Sequence, residues 1–221
     1  MQTYAEKNWG DCSQVVAYNL NFTQMCYSPG NVPRSEFYKV ACNNCLREEQ
    51  YKGFEYRKSD FSKKDYFILD YLCYGVSKEL KDDMIAFGLN ENNFRPIYTR
   101  KHDAVLGYQI VADNVLPDVT GVNGKYTFSE CGVCHHRCYE LQDELRATEA
   151  YGGLGYPVYL TEETYKEIQH INCLYEDHGD IIISCSLYDF LIKKYPRMEC
   201  RPVFIGTVYE DREYLRLTNG K

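Results

Sequence analysis

The sequence has no run of about 18 apolar residues, so it offers no segment that we expect to span a membrane. It also has no excess of basic residues, because 25 lysines and arginines stand against 32 aspartates and glutamates. An acidic chain with a formal charge of −7 is a poor candidate for nonspecific nucleic-acid binding, which needs a basic face. The first ten residues, which include Glu6 and Lys7, lack the apolar core of a signal peptide. We therefore expect a protein that is neither secreted nor embedded in a bilayer.

Several catalytic signatures are missing as well. The sequence contains no His-Glu-x-x-His, no Gly-x-Ser-x-Gly and no His-x-Glu, which argues against zincin proteases, α/β-hydrolases and zinc deaminases. The glycine-rich stretch Gly152–Gly155 lacks the Lys-Ser/Thr end of a phosphate-binding loop and is interpreted as a connector. His170 and His178 could serve acid–base chemistry, but lone histidines are usually structural or lie on the surface. We expect no catalytic residue and no organic cofactor.

Cysteine is abundant, with 11 copies, but the count is odd and the spacing is not that of a disulfide scaffold. Such a chain is expected in the reducing cytosol, which predicts a cytoplasmic protein. Six of these cysteines are isolated in the sequence and are interpreted as small buried apolar residues: Cys12, Cys26, Cys73, Cys173, Cys185 and Cys200.

Two Cys-x-x-Cys pairs, Cys42–Cys45 and Cys131–Cys134, are the strongest chemical signal. Each pair follows a strand-like segment, Phe37–Ala41 and Tyr126–Phe128. A two-residue spacer allows a tight turn that points both sulfurs at one ion, and two such turns complete a tetrahedral zinc site. Asn and Gly inside the turns tolerate the left-handed backbone that we expect there. The sequence therefore predicts one structural Zn²⁺ with Cys42, Cys45, Cys131 and Cys134 as its ligands.

The distance along the chain between the two pairs leaves alternatives open. Eighty-five residues separate Cys45 from Cys131, far more than in a compact zinc finger. A metal site can still join such distant segments, because closing a long loop costs little more than closing a medium one. The alternatives are four free thiols without metal, a redox-active pair, or a ligand set that includes His135, His136 or Cys138.

The hydrophobic periodicity predicts an α+β fold, with a mixed sheet built from repeated strand–helix–strand units. Ser77 and Ser184 are predicted N-caps of two helices, and Gly88 is the predicted end of the first helix. The first 35 residues are predicted to be irregular, with at most a short strand at Val15–Leu20. The remaining predicted strands are Phe37–Ala41, Tyr66–Leu72, Phe94–Tyr98, Leu106–Ala112, Ile181–Ile183 and Arg201–Phe204. We predict a single domain over residues 1–221, with a zinc-ribbon-like knuckle pair formed by residues 37–46 and 126–138.

The two predicted helical units align with each other when Ser77 is set on Ser184. The alignment places Leu80 on Leu187, Asp82 on Asp189, Met84 on Leu191 and Ile85 on Ile192, and the following Arg-Pro pairs match after a gap of one residue. A weaker third copy begins at Pro157–Leu160, with Thr161 as its cap and Tyr165 and Ile168 on its apolar face. We interpret this as an internal repeat, against the alternative of a chance likeness between amphipathic helices. The matched aspartates are then structural rather than catalytic.

The charge is concentrated in one segment. Residues 140–180 contain ten acidic and two basic side chains, a formal charge of −8, so the rest of the chain sums to about +1. Such a segment is usually a solvated helix face, and it can also steer a basic partner.

On its two separated cysteine pairs the chain resembles the bacterial double-CXXCG motif proteins. The repeated strand–Ser–helix units at Ser77 and Ser184 also look like those of immunity proteins in bacterial polymorphic-toxin systems. The resemblance implies a cytosolic protein that binds and neutralises a cognate toxin, with the four cysteines as metal ligands. The family pattern ends each pair with glycine, whereas Leu46 and His135 stand at these positions here.

Three functions follow as hypotheses. The first is an immunity-type binding protein, supported by the acidic segment, by the 22 tyrosines and by the missing catalytic signatures. The second is a metal-dependent enzyme that uses His135, His136, Glu140 or Asp143 near the metal. The third is a structural or regulatory adaptor without a toxin partner.

Overall fold

The computed structural model describes residues 2–23, 34–59, 61, 64–69, 73–112, 114–115, 124–135, 137–144, 157–160, 162–167, 174–177, 180–206 and 216. The helices are α1 (Tyr4–Trp9), α2 (Lys78–Phe87), α3 (Glu162–Glu167) and α4 (Cys185–Ile192), with 3₁₀ turns at Arg34–Glu36 and Glu91–Asn93. The strands are β1 (Ala17–Leu20), β2 (Tyr38–Val40), β3 (Glu48–Gln50), β4 (Glu55–Tyr56), β5 (Tyr66–Ile68), β6 (Tyr74–Val76), β7 (Phe94–Thr99), β8 (Val105–Ile110), β9 (Asn114–Val115), β10 (Gly124–Glu130), β11 (Arg137–Glu144), β12 (Val158–Leu160), β13 (Tyr175–Asp177), β14 (Asp180–Ser184) and β15 (Cys200–Ile205). Within these ranges, every helix is too short or too polar to cross a bilayer.

The strands form two mixed sheets and two separate hairpins, so the predicted α+β class is confirmed. The five-stranded sheet has the order β4-β7-β8-β6-β5, and the six-stranded sheet has the order β12-β15-β1-β14-β13-β9. In both sheets most neighbours are antiparallel, while β4 pairs in parallel with β7, β12 with β15 and β9 with β13. The hairpins are β2–β3 and β10–β11.

Both predicted helix caps are confirmed, with the same geometry. The backbone N–H of Leu80 donates to Ser77 Oγ at 3.1 Å, and the N–H of Leu187 donates to Ser184 Oγ at 3.1 Å. Each serine satisfies a donor that the first helical turn leaves free. Gly88, at φ 124°, ends α2 in a backbone conformation that residues other than glycine rarely adopt.

The central strand of each sheet has matching neighbours. In the five-stranded sheet, Tyr108 of β8 lies opposite Val76 on one side and Pro96 on the other. In the six-stranded sheet, Tyr18 of β1 lies opposite Ile183 and Pro202. The next residues along agree as well, because Gln109 faces Arg95, and Asn19 faces Arg201. The two Arg-Pro pairs of the sequence thus occupy the same place in two sheets.

One hydrophobic core joins the sheets and the helices. It contains Leu20 and Ile183 from one sheet, Val76 from the other, and Leu80 and Leu187 from α2 and α4, all at most 1% exposed. Each sheet turns one face to this core, and α2 and α4 pack together within it. The rings of Phe87 and Phe190, 5.3 Å apart, extend the contact between the two helices.

An ion pair and a hydrogen bond connect α2 to the residues that follow α4. The carboxylate of Asp83 accepts from Lys194 Nζ at 2.7 Å and from the Tyr195 hydroxyl at 2.6 Å. Burial acts to raise the pKa of Asp83, but the two hydrogen bonds and the charge of Lys194 outweigh it and lower the pKa below its usual 3.8.

We expect Asp83→Asn to lower the free energy of unfolding by about 1–2 kcal/mol at neutral pH, because it removes hydrogen bonds to a charged group. The pKa of Asp83 is depressed in the folded state, so its contribution is present above the unfolded pKa and is lost as the pH falls through the folded value. Urea unfolding at pH 7 and at pH 3 measures this. A difference between wild type and variant that stays constant over this range would contradict the assignment.

Two predictions need correction. The N-terminal region is not wholly irregular, because Tyr4–Trp9 forms α1 with a capping box between Thr3 and Glu6, and its Ala5 is fully buried. The stretch predicted as one strand at Tyr66–Leu72 contains β5, which ends at Ile68 and pairs antiparallel with β6, while residues 70–72 lie outside the described residues.

The proposed third copy lies at the edge of the six-stranded sheet. β12 and α3 form where that copy was predicted, and β12 pairs with β15 as β4 pairs with β7. The predicted cap Thr161 and the stripe residue Ile168 lie outside the described residues.

Candidate metal centre

Each Cys-x-x-Cys pair lies at the tip of a β-hairpin. Cys42 and Cys45 stand in the loop between β2 and β3, and Cys131 and Cys134 stand in the loop between β10 and β11. The strands predicted immediately before the two pairs are confirmed as β2 and β10. In the first loop, the backbone N–H of Ala41 donates to the carbonyl of Arg47 at 2.7 Å and closes the turn.

The left-handed residue of each turn is the one that follows the second cysteine. Leu46 and His135 both have φ 57°, whereas the described residues inside the pairs do not have positive φ. The expectation that Asn43, Asn44 and Gly132 supply this conformation is therefore wrong. A Cβ added to Gly132 would meet nothing within 4 Å, so neither conformation nor space requires glycine there. Positions 46 and 135 thus have the positive φ that favours glycine, although each carries a side chain.

We expect Leu46→Gly to raise the free energy of unfolding by about 1 kcal/mol, because a non-glycine residue pays about that much for a left-handed conformation. The side chain of Leu46 is 70% exposed, so its removal loses little burial. Val133→Gly is the matched control, since Val133 is 68% exposed but has ordinary φ, and we expect it to be slightly destabilising. Thermal unfolding of the metal-loaded variants tests this, and equal effects of the two substitutions would contradict it.

The two hairpin tips bring the four thiols together. The Sγ atoms of Cys42, Cys45, Cys131 and Cys134 all lie within 4.8 Å of one another. Cys42 Sγ is 3.7 Å from Cys131 Sγ, and Cys45 Sγ is 3.6 Å from Cys134 Sγ. These distances are too long for a disulfide, in which the sulfurs are about 2.05 Å apart. They are close to the spacing of about 3.8 Å between sulfurs that bind one zinc ion tetrahedrally at about 2.3 Å. The group can therefore hold a metal ion.

Hydrogen bonds direct negative charge to one sulfur of each pair. The backbone N–H groups of Cys45 and Asn44 donate to Cys42 Sγ and lower its pKa. Cys131 Sγ accepts from the N–H groups of Cys134 and Val133 and from Asn44 Nδ2, 3.3 Å away, which together lower its pKa to about 5. Both residues are buried, and these hydrogen bonds favour the thiolate, the form that binds metal.

The second sulfur of the first pair behaves differently. The backbone N–H of Arg47 acts to lower the pKa of Cys45, but burial and hydrogen bonding to the other three thiols outweigh it and raise the pKa to about 12. Four thiolates cannot share so small a volume without a cation. A divalent ion at the centre would favour the ionised form of all four.

The alternative ligands do not join this group where they are described. His135 is a neighbour of Cys134 in sequence, but its Nδ1 lies 2.6 Å from Glu130 Oε1, and it is not a member of the four-residue group. His136 lies outside the described residues, as do His170 and His178. Only the backbone of Cys138 is described, opposite Ser129 in β10–β11.

The residues proposed for the enzyme hypothesis are placed on one strand. Glu140 and Asp143 lie on β11, where they pair with Thr127 and Lys125 of β10. The backbone register places both on the hairpin that carries Cys131 and Cys134, and their side chains are not described.

Among the isolated cysteines, the described ones have the environment of inert thiols. Cys200 is fully buried, and burial raises its pKa above the usual range. Burial also raises the pKa of Cys12 and of Cys185 to about 11. Cys73 is half-buried beside Tyr38, while Cys26 and Cys173 lie outside the described residues.

One functional side chain was missed in the sequence. The sequence indicates a role only for the backbone of Asn44, but its side-chain amide connects the two hairpins by donating to Cys131 Sγ. An asparagine between two cysteines is a weak signal, because its partner lies 87 residues away and only the folded chain brings them together.

Comparison of the chain with protein-family models, with curated proteins and with solved structures yields no match.

Proposed function

We propose that the protein is a zinc-stabilised binding protein of the immunity type, which neutralises a cognate toxin inside a bacterial cell. The observation that carries the proposal is the group of four thiols, which is suited to a closed tetrahedral site. Such a site leaves no coordination position for an activated water, so the metal would stabilise structure and take no part in catalysis. Binding is then favoured over metal-dependent catalysis.

Zinc is the metal that this donor set favours. Four thiolates in tetrahedral arrangement suit Zn²⁺ or an iron–sulfur centre, and the sulfur spacing of 3.6–3.7 Å fits a single ion. Metal analysis of the purified protein should find about one zinc per chain. Replacement by Co²⁺ should give the visible absorption of a tetrahedral cobalt–thiolate site. A metal-free protein, or a cobalt spectrum typical of oxygen and nitrogen donors, would overturn this assignment.

We infer further that the chain consists of two copies of one unit. Each copy begins with a β-hairpin that carries a Cys-x-x-Cys pair, followed by a short strand that pairs in parallel at the edge of a sheet. A second β-hairpin, a helix capped by serine and a strand that contains Arg-Pro come next. The first copy runs from β2 to β8. The second runs from β10 to β15, so β12 is its edge strand and not the start of a third copy. β1, from the start of the chain, takes the central place that β8 has in the first copy. The second copy is thus circularly permuted.

The pairing of strands supports this inference at several levels. The helix caps, the cross-strand neighbours of Tyr108 and Tyr18 and the parallel edge strands all correspond. The edge hydrogen bonds also correspond, since the N–H of Arg100 donates to the carbonyl of Tyr56 and the N–H of Gly206 to that of Leu160, both at 3.0 Å. A chance likeness between two amphipathic helices would not produce this agreement in sheet register.

The duplication gives a reason for the double cysteine motif. Each copy would contribute one knuckle, and each cysteine lies close to its own counterpart, Cys42 to Cys131 and Cys45 to Cys134. That arrangement is expected if a pseudo-twofold axis passes through the ion. The zinc would then join the two halves in the manner of a zinc ribbon built from two hairpins.

A crystal structure with anomalous data at the zinc edge tests the metal and the duplication together. The two copies should superpose when β1 is matched to β8, with the ion on or near the axis that relates them. A different register of β1, or an ion bound by only one knuckle, would remove the inference.

The partner can be sought directly. The acidic segment 140–180 suits a basic toxin domain, because complementary charge accelerates association and selects partners. A purified toxin-like protein encoded beside this gene should bind in a pull-down, and co-expression should restore growth of cells that produce it. The Cys42→Ser variant is the control, since loss of the metal should reduce protection. A neighbouring toxin that neither binds nor is neutralised would contradict the proposal.

Two other functions remain as alternatives with their own discriminating observations. A metal-dependent enzyme requires an exchangeable ligand, so four sulfurs bound to the ion would exclude it. An adaptor would show no toxin-like neighbour in its genome and a different bound protein in pull-downs.

A further inference from the structure

A cleft of about 500 Å³ opens at the edge of the five-stranded sheet, where β4 pairs with β7. Its polar walls are formed by Lys52, Glu55, Arg95, Tyr98 and His102. These residues come from β4 and the segment before it, from β7 and from the turn between β7 and β8. None of them belongs to the metal centre.

The charges in the cleft are unequal. Glu55 Oε1 lies 3.1 Å from Lys52 Nζ and 2.8 Å from His102 Nε2, so the single carboxylate is already engaged twice. Burial acts to raise the pKa of Glu55, but these partners lower it, which keeps the group ionised. Arg95 is half-buried, and within the described part of the chain its guanidinium makes no ion pair. The cleft therefore has a positive excess on a chain whose total charge is −7.

The position of His102 is fixed by its backbone conformation and by a ring contact. His102 has φ 55°, a left-handed conformation, in the turn after β7. The N–H of Asp103 donates to Thr99 Oγ1 at 3.1 Å and fixes this turn. The imidazole stacks on Tyr98, with ring centroids 5.2 Å apart and planes at 27°. A strained residue that several contacts maintain beside a cleft is often part of a binding site.

The six-stranded sheet provides an internal comparison. By the registers of the edge strands, Tyr159 occupies the place of Glu55, and Phe204 occupies the place of Tyr98. Their rings lie 6.1 Å apart, and Tyr159 is buried. The same edge can therefore be built with two aromatic rings, so the fold itself does not demand the polar cleft.

We propose that this cleft binds a small anion with at least two negative charges, either a phosphate compound or a polycarboxylate. The planar guanidinium of Arg95 is suited to two parallel hydrogen bonds with such a group. Lys52 and His102 lie beside it, and the Tyr98–His102 pair gives the ligand an apolar wall.

Isothermal titration calorimetry tests the proposal. The protein is titrated at low ionic strength with inorganic pyrophosphate and, separately, with citrate. We expect binding that weakens with added salt, and the tighter of the two probes identifies the phosphate or the carboxylate class. Arg95→Gln should weaken binding by about tenfold or more, because it removes the guanidinium that would bind the anion. Glu55→Gln should strengthen it, because it removes the negative charge and releases Lys52 and His102.

Lys193→Gln is the control, since it changes the net charge equally at an exposed position outside the cleft and should leave the affinity unchanged. If Arg95→Gln fails to fold, Lys52→Gln replaces it with the same expected direction. No heat of binding for either anion up to about 10 mM, or equal losses in the control and in the cleft variants, would overturn the proposal.

Discussion

Replacing Cys42 by serine should remove the metal and lower the midpoint of thermal unfolding by about 10 °C or more. A ligand present at about a thousand times its dissociation constant stabilises the folded state by about 4 kcal/mol, and a structural zinc site usually reaches that level. A chain of this size loses about 2–4 °C per kcal/mol. Cys42 is buried, and among the described residues the group has only its four cysteines, so no fifth side chain stands ready to replace the lost thiolate. Metal analysis and calorimetry of the same preparation measure both effects.

The double variant Cys42→Ser with Cys131→Ser separates a shared site from independent thiols. If both sulfurs bind one ion, the second substitution should add little once the metal is lost, because the two effects are coupled. Cys12→Ser is the control, as a half-buried cysteine outside the group, and should keep the metal. Full zinc occupancy in Cys42→Ser would eliminate the proposed metal centre.

Gly75→Ala should destabilise the protein by about 3 kcal/mol, which corresponds to a fall of about 10 °C in the unfolding midpoint. A Cβ at Gly75 would lie 2.2 Å from the ring of Phe67, which is fully buried and stands opposite it across β5 and β6. The ring covers the glycine, and the close packing around it leaves no space into which it could move.

Gly132→Ala is the matched control in the same chain. Its Cβ would meet nothing within 4 Å, so we expect a change of less than about 0.5 kcal/mol. Phe67→Leu combined with Gly75→Ala should recover part of the lost stability, because the smaller side chain makes room. Equal midpoints for Gly75→Ala and Gly132→Ala in calorimetry would show that the ring moves freely.

The four cysteines that could hold a metal ion could be identified from local spacing, whereas their environment could not. A two-residue spacer predisposes each pair to bind one ion, and this preference depends on only four residues of chain. The amide of Asn44 on Cys131, and the left-handed conformation of Leu46 and His135, depend on how the two turns close and meet. The cost of a side chain at these two positions became clear only from their φ angles.

Local signals also determined the helices. Ser77 and Ser184 cap them, and Gly88 ends α2, because these effects act within one turn of backbone. Strand positions were predicted less completely, because β3, β4, β6, β9, β11 and β13 were not predicted. The tertiary structure alone decided which strands are neighbours, and above all that β1 lies at the centre of a sheet whose other strands come from the second half of the chain. The alternation of apolar and polar residues indicates which face of a strand is buried. Which strands pair depends on contacts between residues that are distant in sequence, and these contacts form only in the folded chain.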